Sequence, residues 1–198
     1  MVVTHCSIVY RKVGWLIGYW SGKSPMNKPN KQLILLRHAK SDWSQARPDH
    51  QRPLNARGQR QSLLVGKWLA ENALNPDCII SSDALRCRET IMQICRSIDF
   101  EPENINWEPS LYHAGHREML SVSLNYLKKH DRLMLVAHNP GLDSLLEYLC
   151  PNEQLQYSAG GKLISTSALA QLEIPADLEV NSPHTARLLK LLRPAELE

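Results

Sequence analysis

The sequence predicts a three-layer α/β/α fold with a mostly parallel central sheet. Two observations carry this reading. Short apolar runs of strand length alternate along the chain with longer segments of helical periodicity. Alternation of that kind places helices on both faces of a parallel sheet. The length of 198 residues allows one domain with a substantial core.

The elements follow in order after Asn30. Gln32–Arg37 reads as the first strand, built on Leu33-Ile34-Leu35-Leu36. His38–Leu54 is polar and broken by Pro48 and Pro53, so it reads as a loop. Asn55–Glu71 reads as a helix with Asn55 at its N-cap and Leu63, Leu64, Val65, Trp68 and Leu69 on its apolar face. Cys78–Ser81 is a short strand, and Ala84–Ile98 a helix that Ser82 or Asp83 would cap. Ile105–Glu108 is a third, short strand. His116–Lys129 is a helix with Met119, Leu120, Leu124 and Leu127 facing inward. Leu133–Ala137 and Gly141–Leu149 form the next strand and helix, and Ser165–Ile174 and Arg187–Leu192 the closing strands, with a loop over Pro175–Pro183 between them. The simplest division is one domain over 31–198 with an extension over 1–30.

That extension differs from the rest. Arg11, Lys12, Gly14 and Gly18 interrupt its apolar residues, a poor match to a signal peptide. It is expected to be flexible, with Met26 as an alternative initiator. Trp15, Leu16, Ile17, Tyr19 and Trp20 leave a second reading open, a weak membrane-surface or partner-binding segment.

Composition excludes several classes. A net charge of +3, with Lys and Arg scattered, argues against nucleic acid as a partner. No apolar run has the length to span a bilayer. The five cysteines form no C-x-x-C pair, and Cys78, Cys87 and Cys95 lie in apolar surroundings. Reduced thiols and a cytoplasmic setting are expected.

Three segments could carry chemistry. Arg37-His38 ends the first strand, and His138 ends the run Leu133–Ala137. Ligands of open parallel sheets bind beyond the carboxyl ends of the strands, so these groups could share one mouth. Between them, Arg86 falls in the first turn of a helix beside the same sheet edge, while Arg88 points elsewhere. Arginine offers phosphate a planar fork of donors. Neutral histidine offers a nucleophilic nitrogen. Pro140-Gly141 opens a helix whose amides would add to an anion site. Each segment alone is commonplace.

Taken in order, Arg37-His38, then Arg86-Cys87-Arg88-Glu89-Thr90, then His138, the chain resembles the histidine phosphatase superfamily, whose fold is phosphoglycerate mutase-like. Arg52-Pro53-Leu54-Asn55-Ala56-Arg57-Gly58 is similar to the R-P-L-x-x-x-G segment of its SixA, phosphohistidine phosphatase branch, as are the Thr166-Ser167-Ala168 strand and the compact size. The resemblance covers roughly 31–174. It implies that His38 attacks phosphorus while Arg37, Arg86 and His138 hold the oxygens, with no metal or cofactor. Arg52 and Asn139 join Arg37, Arg86 and His138 as substrate-binding candidates. A histidine-phosphorylated protein domain is the implied partner. Small phosphoesters or phosphoanhydrides are the alternative substrates, and a non-catalytic phosphate-binding module is the alternative class.

Two departures from the family pattern carry weight. Ala39 replaces the glycine of R-H-G, which requires an ordinary negative φ there. In Glu108-Pro109-Ser110-Leu111-Tyr112, Ser110 stands where ester-cleaving members place a carboxylate acid. An alkoxide-like leaving group needs that proton, whereas imidazole can depart neutral. A P–N bond is therefore favoured as the target, with Glu108, Asp42 or His113 as substitute acids. The interval from Glu71 to Ile105 also leaves no room for the helical cap of many small-metabolite phosphatases. His113 and His116 have no third ligand at metal spacing, so they read as a solvated loop.

Overall fold

A computed structural model describes residues 30–177 and 182–198. The expected N-terminal extension, apart from Asn30, and positions 178–181 of the Pro175–Pro183 loop lie outside the described residues.

Six strands form one sheet in the order β3-β2-β4-β1-β5-β6. They are β1 (Lys31–Arg37), β2 (Cys78–Ser81), β3 (Asn106–Trp107), β4 (Arg132–Ala137), β5 (Leu169–Ile174) and β6 (Arg187–Leu192). The first four run parallel, and β5 and β6 return antiparallel along one edge. Helices α1 (Ala56–Glu71) and α2 (Leu85–Cys95) cover one face, and α3 (His116–Leu127) and α4 (Gly141–Leu149) the other. The two-residue period of β1 divides its apolar run between these layers. Leu33 and Leu35 pack with α3 and α4, and Ile34 and Leu36 with α1 and α2. Between β2 and β3 the chain forms only α2 and a short 3-10 turn, so no helical cap is present there.

Local sequence accounts for most boundaries. Asn55 caps α1, its side chain accepting the amide of Gly58 at 2.9 Å. Helix α2 starts at Leu85 after Ala84, so the expected cap by Ser82 or Asp83 is not made. Ser82 Oγ lies 3.4 Å from the Ala84 amide and makes a closer contact elsewhere, with His138. The helix also stops before Ile98, because Ser97 bonds back to Ile94 in the tighter 3-10 manner. The Ile105–Glu108 strand contracts to two residues, as Ile105 bonds instead to the Pro102 carbonyl of the preceding turn.

One expected strand is corrected. Thr166-Ser167-Ala168 is not extended, since Ser167 adopts a left-handed backbone with φ of 61° and β5 begins only at Leu169. The turn is tied to the end of β1 on both sides. Ser167 donates to the His38 carbonyl at 3.3 Å, and Arg37 donates to the Ala168 carbonyl at 3.1 Å.

Register positions the site. Strands β1 and β4 are neighbours with Arg37 opposite Ala137, so His38 and His138 leave adjacent strands at the same level. Ser81 lies opposite Val136, which brings Ser82 and the start of α2 to that edge as well.

Candidate active site

His38 and His138 meet as this register requires, with ring centroids 5.0 Å apart. His38 Nδ1 lies 2.8 Å from the carbonyl oxygen of Ala39. A carbonyl can only accept, so Nδ1 carries the proton and Nε2 keeps the lone pair. Burial is the main cause that lowers the His38 pKa to about 3, with Arg86 and Arg37 adding to it and the Ala39 hydrogen bond opposing. His138 is also brought to about 3, by burial first and then by His38 and Arg86. Both rings are therefore neutral near pH 7. His138 Nε2 lies 2.9 Å from Ser82 Oγ, and its Nδ1 has no hydrogen-bond partner among the described residues.

Arg86 reaches the site from the first turn of α2. Its Nη1 donates to the Asp49 carbonyl at 2.7 Å and its Nη2 to Asp49 Oδ2 at 3.0 Å. Arg88, two residues further along, turns away to the Asp83 carbonyl and the Trp107 ring. Arg37 donates from Nη1 to the Ile164 carbonyl at 3.1 Å, and Asn139 Nδ2 donates to the same oxygen at 3.0 Å. The loop bearing Ile164 is held by Asp143 of α4, whose Oδ1 accepts the Ile164 amide at 2.8 Å.

Two adjoining cavities share His38, Asp49 and Arg86. The larger, of about 470 Å³, also has His138, Asn139, Tyr112, His113 and His116 in its wall. The smaller, of about 210 Å³, has Arg37, Arg52, Lys40, Trp43 and Thr166. The six residues singled out in the sequence are thus divided: His138 and Asn139 border one cavity, Arg37 and Arg52 the other, with His38 and Arg86 between.

Several contributors escaped sequence reasoning. Asp49 takes both Arg86 donors, pairs with Arg52 Nη1 at 2.9 Å and accepts the Tyr112 hydroxyl at 2.6 Å. That hydroxyl is the first cause holding its carboxyl below the usual range, followed among the lowering causes by Arg86. Its spacing of three residues from Arg52 was the available signal. Tyr112 packs edge-on to His138, with centroids 5.5 Å apart, and against His113 at 3.9 Å. His113 and His116 are therefore cavity wall rather than a mere solvated loop. His50, also without motif context, pairs with Asp83 at 2.9 Å and meets the Tyr112 ring.

The segments around the site have local reasons. Thr90, a turn after Arg86, accepts the Ala39 amide at 2.9 Å and donates to the Arg86 carbonyl at 2.6 Å. Ala39 is absent from the positive-φ residues, so the alanine is accommodated. In the 52–58 segment, Leu54 donates its amide to Glu89 at 2.6 Å, and Asn55 donates its amide to the Lys40 carbonyl at 3.0 Å. Gly58 lies against Lys40 so closely that a Cβ would stand 2.3 Å from that carbonyl oxygen.

Ser110, which stands in place of the carboxylate acid, is exposed and outside both cavities. Glu108 accepts the Tyr126 hydroxyl at 2.6 Å, and Asp42 accepts the Ser44 amide in an exposed turn. Of the groups weighed as acids, only His113 lines a cavity.

An α/β sheet that gathers two neutral imidazoles and two arginines at its carboxyl edge defines a protein fitted to a tetrahedral oxyanion. Residues 33–112 match the model of the histidine phosphatase superfamily (branch 1). The solved SixA structure from Agrobacterium tumefaciens has a TM-score of 0.71 and 28% identity, covering 83% of this chain and 98% of that one. Over 33–112 the chain is thus similar to the histidine phosphatase superfamily, and its fold is that of the SixA structures. Its relatives include an uncharacterised chloroplastic protein of Arabidopsis thaliana, 31% identical over 135 residues, which are 64% of this chain and 62% of that protein. The phosphohistidine phosphatase SixA of Escherichia coli is 24% identical over 145 residues, covering 72% of this chain and 85% of that protein. No helix among the described residues is long and apolar enough to cross a membrane.

Proposed function

We propose that the protein is a phosphatase that works through a covalent phosphohistidine at His38, and that its substrate is phosphohistidine on another protein. The observation that carries the first part is the Nδ1 hydrogen bond of His38 to the Ala39 carbonyl, which leaves Nε2 as a lone-pair nucleophile. The match of residues 33–112 to the superfamily model and the SixA-like fold support it.

In the proposed reaction, Nε2 of His38 attacks phosphorus in line. The bond to the leaving nitrogen breaks, and its electron pair stays on the substrate imidazole. The His38 ring becomes cationic while Nδ1–H remains bonded to the Ala39 carbonyl, which stabilises that charge. Arg37, Arg86 and His138 hold the equatorial oxygens. Water then attacks phosphorus, inorganic phosphate leaves, and His38 regains its lone pair. Loss of one charge-stabilising donor, as in Arg86→Gln, lowers kcat by about a hundredfold, or about 3 kcal/mol.

The substrate assignment rests on the acid. Ester cleavage requires a proton donor at the leaving oxygen. The carboxylates considered for that task are occupied or outside the cavities, and Asp49 is held ionised. Imidazole leaves without that help. The name of the Escherichia coli relative agrees with a P–N substrate. His113 in the cavity wall favours a second reading, a phosphoester substrate with His113 as the acid. Steady-state turnover of a histidine-phosphorylated protein domain against a panel of phosphate monoesters separates the two. A higher kcat/KM for the phosphohistidine domain supports the proposal, and a preference for esters that His113→Ala abolishes supports the alternative.

A further inference from the structure

The smaller cavity gathers four cations beside the proposed phosphoryl site. Arg37, Arg86, Arg52 and Lys40 border it against the single carboxylate of Asp49. A phosphoryl group brings about two negative charges. Asp143 supplies a further negative charge near Arg37.

Arg52 is not placed as an ordinary surface cation. Its side chain is only 12% exposed, although it belongs to a loop. Its guanidinium lies over the Trp43 ring, 3.4 Å from the centroid, and Asp49 Oδ1 holds it from the side. Trp43 itself is 69% exposed, so the indole serves Arg52 rather than the core. An ion pair of this kind adds little to stability. Stacking and pairing do fix the orientation of a side chain that otherwise has many rotamers, and a fixed planar fork suits a carboxylate. The same Asp49 carboxylate holds Arg86, so the position of Arg52 is set relative to the phosphoryl-binding arginine.

We infer that Arg52, with Lys40, forms a second anion subsite beside the transferred phosphoryl group, and that it receives an acidic residue flanking the phosphohistidine of a protein substrate. This rests on the reading of the substrate given above. The phosphoryl group occupies the junction at His38, Arg86 and Arg37, and the flanking carboxylate enters along the Trp43 side.

Binding separates this claim from turnover. Peptides carrying one phosphohistidine are titrated into the full-length His38→Ala protein. One peptide has Asp or Glu beside the phosphohistidine, and the other has Asn or Gln. The acidic peptide is expected to bind about tenfold more tightly, and the ratio is expected to fall to about one in His38→Ala combined with Arg52→Gln. Equal dissociation constants for the two peptides, or binding of neither, overturn the subsite. A ratio that survives Arg52→Gln also overturns it. Tighter binding of inorganic pyrophosphate than of the acidic peptide overturns it in favour of a phosphoanhydride substrate. Failure of the proposed function has a different signature, the absence of phosphohistidine turnover by the unmodified protein.

Discussion

The hydroxyl of Thr90 accepts the backbone amide of Ala39 at 2.9 Å, joining helix α2 to the residue that follows the proposed nucleophile. The same oxygen donates to the Arg86 carbonyl, so one side chain relates the height of Arg86 to that of His38. The four-residue interval from Arg86 to Thr90 is one helical turn, which is why both reach the same edge.

Thr90→Val removes the hydroxyl at nearly constant volume and leaves the Ala39 amide buried without a partner. The expected cost is about 1–3 kcal/mol in urea unfolding. Thr90→Ser restores most of it. Equal stability of the Val and Ser variants would count against the bridge.

Gly58→Ala places a methyl group 2.3 Å from the Lys40 carbonyl oxygen and 2.9 Å from its nitrogen. Both are backbone atoms, so either α1 or the loop after His38 must move. Overpacking of this kind costs about 1–3 kcal/mol, read as a lower urea midpoint, and turnover falls with it. Gly160→Ala is the control, since the atom nearest to its added Cβ is a side-chain oxygen 4.0 Å away. Its stability is expected to stay within about 0.5 kcal/mol of the unmodified protein.

Asp49→Asn keeps the shape of the side chain and removes its charge. The site becomes more positive, so inorganic phosphate is expected to inhibit at lower concentration. Arg86 loses its ionic partner and part of its fixed orientation, so kcat is expected to fall. Weaker inhibition by phosphate would contradict the role given to this carboxylate.

Arg37, His38 and His138 were legible because each ends an apolar run, and parallel strands deliver their C-terminal residues to one edge. Arg86 was legible from its distance to a helix start. Asp49 and Tyr112 were not, because both lie in 3-10 turns whose positions follow no hydrophobic period. Their roles come from contacts across the fold: Tyr112 approaches Asp49 only after β3 and its following turn are laid beside β2. The Thr166–Ala168 segment misled for a related reason. Its β-branched and small residues suit a strand, but a hydrogen bond from Ser167 to the His38 carbonyl bends it into a turn. The antiparallel return of β5 and β6 was likewise set by connections rather than by composition.

The two depressed histidines make a prediction in pH. Both have folded pKa values of about 3 against about 6.5 for a free ring. The unfolded chain therefore takes up protons below about pH 6.5 that the folded chain refuses until about pH 3. Their contribution to stability is full above 6.5 and declines as pH falls through that window, at up to about 1.4 kcal/mol per pH unit for each ring. Urea unfolding from pH 7 to 4 measures it, and replacing His138 with Gln is expected to reduce the slope. Titration of His38 is expected to add no inflection near 6.5 to kcat/KM, because the proposed nucleophile is neutral on both sides of it.

The direct test of the central claim is rapid quenching of the enzyme with a phosphohistidine substrate labelled at phosphorus. The account predicts acid-labile, base-stable label at Nε2 of His38 within a single turnover, and neither label nor turnover in His38→Ala. Turnover that persists in His38→Ala, or label trapped on a different residue, would contradict it.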